Sequence, residues 1–104
     1  MAKEKILIVE DDEHISRLVS YNLDKAGFKC SVVASGTGAL DILRKEKFSC
    51  IILDIMLPEM DGFEVCKEIK QNKNIEHIPI VMLTARGEEI DRILGFAPAE
   101  QIKK

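Results

Sequence analysis

The sequence predicts an α/β domain built on a parallel sheet with helices on both faces. Three observations carry this. Short, continuously apolar runs alternate with longer stretches whose apolar residues recur every three to four positions, the βαβα order that gives a doubly wound sheet. Gly, Ser and Pro stand at the joints between the two kinds of segment. The acidic and hydroxyl residues that look chemical fall just after the apolar runs, where open parallel sheets bind their ligands.

Lys5-Ile6-Leu7-Ile8-Val9 reads as a first strand buried on both faces. Glu10-Asp11-Asp12 follows, with Asp12 or Glu13 available to cap a helix whose inward face is Ile15, Leu18, Val19, Leu23 and Ala26. Gly27 stops that helix. Residues 28–34 form a second strand, and Ser35 caps a second helix with Ala39, Leu40 and Leu43 inward. Residues 48–53 form a third strand ending at Asp54, and Pro58, Asp61 and Gly62 mark the loop before a third helix carrying Val65, Cys66 and Ile69. Residues 78–83 form a fourth strand, with Pro79 near its start, where a missing N–H does least harm. Thr84 ends it, and Ile90, Ile93 and Leu94 line the inward face of a fourth helix.

Bulk properties narrow the function. With 104 residues, 46% hydrophobic and 32% charged, the chain reads as one globular domain large enough for a real core. A net charge of −3 argues against a nucleic-acid surface on this segment. No apolar run approaches a membrane span, and the N-terminus has no signal-peptide pattern. Cys30, Cys50 and Cys66 are widely spaced with no CxxC pair, so we expect small buried hydrophobes in a reducing cytoplasm rather than a zinc or redox site. His14, beside the acidic cluster at the start of helix 1, reads as a surface residue rather than a proton-transfer group, and His77 carries no evident chemistry.

The chemistry gathers at strand ends. Glu10 and Asp11 follow strand 1, Asp54 follows strand 3, and Thr84 follows strand 4. Carboxylates converging there repel one another unless a cation or a proton neutralises them. An all-oxygen set suits Mg2+, which typically binds one or two carboxylates together with phosphate oxygens. An aspartate in such a site can serve as a nucleophile and form an acyl phosphate, although acidic residues at strand ends often only cap helices.

Three segments carry a family resemblance: Ile6 to Asp12, Ile51 to Pro58 with Asp61-Gly62, and Pro79 to Ala85. They resemble bacterial response-regulator receiver domains of two-component signalling, most of all the subgroup joined to winged-helix DNA-binding domains. The resemblance runs from about Lys5 to Phe96. It implies a flavodoxin-like sheet of order 2-1-3-4, to which the family adds a fifth edge strand. It implies Asp54 as phosphoacceptor for a histidine kinase, in a Mg2+-dependent reaction. Asp11 would bind the metal directly, Glu10 would hold it largely through water, and Asp54 and the backbone carbonyl of Met56 would complete the set. Thr84 would be the switch hydroxyl, Ala85 would leave room for phosphoryl access, and Pro58 and Gly62 would shape the loop after Asp54. Such a protein is no enzyme beyond catalysing its own phosphorylation and dephosphorylation, and serves transcription regulation when joined to its output domain.

The stretch after Leu94 departs from the pattern. The family's fifth strand ends in a Lys-Pro pair, and Gly95 to Lys104 contains neither that pair nor a β-branched run. The expectation is a receiver over residues 1–96 lacking its final β-α unit, then a divergent tail over 97–104. Lys103 or Lys104 would have to fold back to replace the lysine. Switching would then be impaired, and strand 4 would become an edge favouring self-association as a dimer. The rival reading is a degenerate receiver serving only as a non-phosphorylated interaction or oligomerisation module. A phosphatase of the haloacid-dehalogenase type is disfavoured because Met56 stands where its second aspartate belongs. Gly36-Thr37-Gly38 hints at a dinucleotide loop, but Asp41 occupies the third glycine's place, and the run reads more simply as the start of helix 2.

Overall fold

The structure is a computed structural model, and it describes residues 3–83. Along the chain the elements are β1 (Lys5–Val9), α1 (Glu13–Lys25), β2 (Lys29–Val33), α2 (Gly36–Lys45), β3 (Cys50–Asp54), α3 (Gly62–Lys70) and β4 (Ile80–Leu83). The four strands form one parallel sheet of order β2-β1-β3-β4. This is the fold and strand order expected. The predicted fourth helix, any fifth strand or helix, and the 97–104 tail lie outside the described residues.

Each helix begins and ends for a local reason. Asp12 caps α1 by accepting the N–H groups of His14 and Ile15 at 2.9 and 3.2 Å. Ser35 caps α2 through Gly38 N–H at 3.1 Å, and Asp61 caps α3 through Glu64 N–H at 2.9 Å. At the end of α1, Gly27 has φ +100°. Its N–H reaches Asp24 O and the Phe28 N–H reaches Leu23 O, both at 3.0 Å, which is a Schellman closure.

The strand order dictates the layers. The chain steps from β1 to β2 in one direction and from β2 to β3 and β4 in the other. Right-handed crossovers therefore place α1 on one face and α2 and α3 on the opposite face. The main core lies on the α2–α3 side, where Leu7, Val9, Ile51 and Leu53 meet Ala39, Leu43, Val65 and Ile69. The alternate residues Ile6 and Ile8 are also buried, on the α1 face.

That α1 face departs from expectation. Leu18 was expected inward but is 62% exposed, and Ala26 is exposed as well. Ile15, Val19 and Leu23 are only half-buried, and the buried residue of the helix is Ser16. Among the described elements α1 packs against β1 and β2, and that contact leaves Leu18 and Ala26 at the surface. On β3 and β4, Ile52 and Val81 are half-buried. The cysteines are likewise half-buried rather than buried, because Cys30 lies on edge strand β2, Cys50 at the start of β3 and Cys66 on the flank of α3. Burial still pushes the thiols of Cys30 and Cys50 upward, which favours their protonated form. Among the described residues no helix is long and apolar enough to cross a membrane.

Candidate functional site

The direction of chain crossing reverses at β1, so the crevice beyond the carboxyl ends of β1 and β3 is the switch point of the sheet. Two hydrogen bonds pin its walls. Glu10 N–H donates to Val33 O at 3.0 Å, holding the residue after β1 against β2. Ile55 N–H donates to Leu83 O at 3.0 Å, holding the residue after β3 against β4. Glu10, Asp11 and Asp54 thereby come together, with one carboxylate oxygen from each lying within 4.8 Å of the others.

Two of these acids are almost wholly buried, Glu10 at 3% and Asp54 at 2% exposure, while Asp11 is exposed. Glu10 Oε2 accepts the Asp12 N–H at 3.0 Å, but among the described residues its Oε1 is buried without a hydrogen-bond partner. Asp54 Oδ1 accepts the Met56 N–H at 3.2 Å, which fixes the rotation of the carboxylate. Burial, followed by the charges of Asp54 and Asp11, pushes the Glu10 carboxyl from 4.5 up to about 7. Burial also raises Asp54, against the hydrogen bond from Met56 that lowers it.

An orphaned, buried carboxylate oxygen beside two further carboxylates has an evident chemical remedy. A divalent cation would satisfy Glu10 Oε1 and cancel the repulsion, and the all-oxygen donor set fits Mg2+ better than a soft metal. Asp11 is exposed, so the site is open to solvent on that side.

Gly62 lies beneath this site. Its N–H donates to Ile55 O at 2.8 Å, bringing the start of α3 against the end of β3. A Cβ at position 62 would stand 2.8 Å from Ile55 Cα and closer still to the Asp54 carbonyl oxygen. Only glycine fits, which gives the expected loop-shaping role of Gly62 a steric cause.

The structure thus joins Glu10, Asp11 and Asp54, and sets Met56 beside them through its N–H. Thr84, Ala85, Lys103 and Lys104 lie outside the described residues. Leu83, next to Thr84, pairs in register with Asp54. Sequence reasoning read Thr37 only as part of the start of helix 2 and did not single out Glu59. The Thr37 hydroxyl donates to Glu59 Oε1 at 3.1 Å, tying the start of α2 to the loop after Asp54. The signal available was only a small hydroxyl residue at a helix start, which does not reveal a partner 22 positions away.

Comparison with known proteins agrees with this geometry. Residues 6–98 match the response regulator receiver domain. The chain is 46% identical over 93 residues to the alkaline phosphatase synthesis transcriptional regulatory protein PhoP of Bacillus subtilis, covering 89% of this chain and 38% of that protein. It spans roughly two-fifths of the length of the curated relatives it matches. Among solved structures, chemotaxis response regulator CheY4 of Vibrio cholerae superposes with a TM-score of 0.77 at 33% identity, over 92% of this chain and 80% of that one. The receiver domain of a sensor histidine kinase from Pseudomonas aeruginosa PAO1, solved with a magnesium ion coordinated in its active-site cleft, gives a TM-score of 0.77 at 31% identity, over 88% and 75% of the two chains.

Proposed function

Because the chain belongs to the response-regulator receiver-domain family, whose members are phosphorylated on an aspartate in two-component signalling, we propose that Asp54 accepts a phosphoryl group from a histidine kinase with Mg2+ held by Glu10, Asp11, Asp54 and the Met56 carbonyl. The observation that carries this reading is the meeting of three carboxylate oxygens within 4.8 Å at the switch point of the sheet, one of them on the buried Asp54.

The chain's own residues divide the work. Asp54 is the nucleophile: a carboxylate oxygen forms the new bond to phosphorus as the bond to the donor's leaving atom breaks, and the product is an acyl phosphate. Met56 N–H orients that carboxylate. Glu10 and Asp11 hold the cation, which when bound supplies charge neutralisation for both the carboxylates and the incoming phosphoryl group. Burial of Asp54 keeps bulk water from competing for its oxygens. Thr84, one residue beyond the end of β4, is proposed as the switch hydroxyl, with Ala85 leaving space for phosphoryl access.

The test adds Mg2+ and acetyl phosphate to the chain and reads intact mass. A single phosphoryl adduct that disappears on chelation of Mg2+ and is absent in Asp54→Asn is expected. An unmodified wild type, or an equal adduct on the variant, would sink the assignment. Self-association through β4 is proposed as well: among the described residues β4 pairs only with β3, and Ile52 and Val81 beside it are half-buried. Light scattering across a concentration series would show a dimer, and a monomer throughout would refute it.

A further inference from the structure

We propose that the hydrogen bond between Thr37 and Glu59 is a latch that positions the loop after Asp54 for metal binding, making both residues positioning residues for the reaction at Asp54. This rests on the reading of Asp54, Glu10, Asp11 and the Met56 carbonyl as a magnesium site.

The loop runs from Ile55 to Asp61 and carries Met56, whose carbonyl is the ligand contributed by backbone rather than by a side chain. A backbone ligand is only as well placed as the loop that bears it. The loop's two ends are fixed at the site, by Met56 N–H on Asp54 Oδ1 and by Gly62 N–H on Ile55 O. Its middle is held by the burial of Leu57, and Met60 packs against the core. Glu59 lies between these apolar anchors, exposed, and its carboxylate takes the Thr37 hydroxyl proton at 3.1 Å.

The direction of the hydrogen bonds gives the contact more than one cause. A carboxylate only accepts, so Thr37 is the donor to Glu59. With its one proton committed there, Thr37 Oγ1 must accept from Ser35 Oγ, 3.3 Å away. Ser35 Oγ in turn accepts the Gly38 N–H at 3.1 Å as the cap of α2. Every donor in the row points toward Glu59: Gly38 N–H to Ser35, Ser35 to Thr37, Thr37 to Glu59. The carboxylate also stands by the N-terminus of α2, where the partial positive charge of the helix favours an anion. The loop is thus tied to an element that the core holds rigidly through Ala39 and Leu43.

Calorimetric Mg2+ titration and the Mg2+ dependence of acetyl phosphate labelling test the latch. Thr37→Val and Glu59→Ala should each weaken Mg2+ binding by about 2- to 10-fold, the worth of one net hydrogen bond. The double variant should be no weaker than either single. Glu59→Gln, whose amide oxygen accepts the same proton, should recover most of the affinity lost in Glu59→Ala. The labelling rate at saturating Mg2+ should return toward wild type in every variant, because the nucleophile is untouched. A merely structural contact would lower the unfolding midpoint and leave the Mg2+ half-saturation where it was, and that result overturns the latch. So does weakening in Glu59→Gln equal to that in Glu59→Ala with Thr37→Val unchanged, which would mean that Glu59 acts through its charge. Mg2+ binding without a phosphoryl adduct would remove the phosphoacceptor reading while leaving the latch to be judged on affinity alone. A wild type that takes no Mg2+ removes both.

Discussion

Glu10→Gln should stabilise the metal-free protein at alkaline pH and abolish the corresponding part of its pH dependence. In the folded chain the Glu10 carboxyl is pushed from 4.5 to about 7, chiefly by burial and then by Asp54 and Asp11. A carboxyl raised on folding binds protons more tightly in the native state than in the unfolded state, so stability falls as pH rises through the window from about 4.5 to 7. At about 1.36 kcal/mol for each pH unit of separation, the loss is of order 3 kcal/mol, a large share of a total stability of about 5–15 kcal/mol. The raised carboxyl of Asp54 adds to the same trend. The amide side chain suits the position: its oxygen keeps the Asp12 N–H bond, and its NH2 meets the acidic neighbours where Oε1 now lacks a partner. Urea unfolding followed by circular dichroism, in chelator, at pH 5 and pH 8, is the assay. Wild type should lose stability between the two pH values, and the variant should be more stable than wild type at pH 8 by up to about 3 kcal/mol. Added Mg2+ should reverse the ranking, because only the carboxylate repays the cation. A wild type whose metal-free stability rises from pH 5 to 8, or a variant less stable at pH 8 without metal, would refute the electrostatic account.

Three further outcomes follow from the packing. Gly62→Ala places a Cβ against Ile55 Cα and the Asp54 carbonyl and should cost about 1–3 kcal/mol in urea unfolding; acetyl phosphate labelling of Asp54 should fall with it, since the clash lies on the nucleophile's own backbone. Gly27→Ala meets no atom within 4 Å but must adopt φ +100°, so the loss of about 1–2 kcal/mol should appear in stability with the Mg2+ affinity unchanged. Leu7→Ala, at a position with 0% exposure in the main core, should lose about 2–5 kcal/mol by thermal or urea unfolding.

The order of elements was legible because each segment carries its own local signal. Strands buried on both faces read as continuous apolar runs such as Ile6 to Val9, and the first two helices have their stop or cap in Gly27, Ser35 or Asp12. Glu10, Asp11 and Asp54 were legible for the same reason, since a carboxylate just past a parallel strand can lie only at the carboxyl edge of the sheet. Strand order came from family likeness, as periodicity does not contain it. Helix 1 shows the limit of pattern reading: its periodic stripe includes Leu18, yet how much of a stripe is covered depends on where the helix sits on the sheet.

What the sequence determined by itself was therefore local: the α/β alternation, the caps, and the residue types available for chemistry. Only the tertiary structure decided what depends on neighbours distant in sequence. It gave Glu10 a buried, unpartnered oxygen and a carboxyl raised to about 7, because desolvation and the approach of Asp54 are properties of the packed crevice. It gave Gly62 a steric cause by bringing α3 against the end of β3. And it joined Thr37 to Glu59 across 22 positions, a contact no residue pattern encodes, because a hydrogen bond between exposed side chains forms only where folding has already placed both partners.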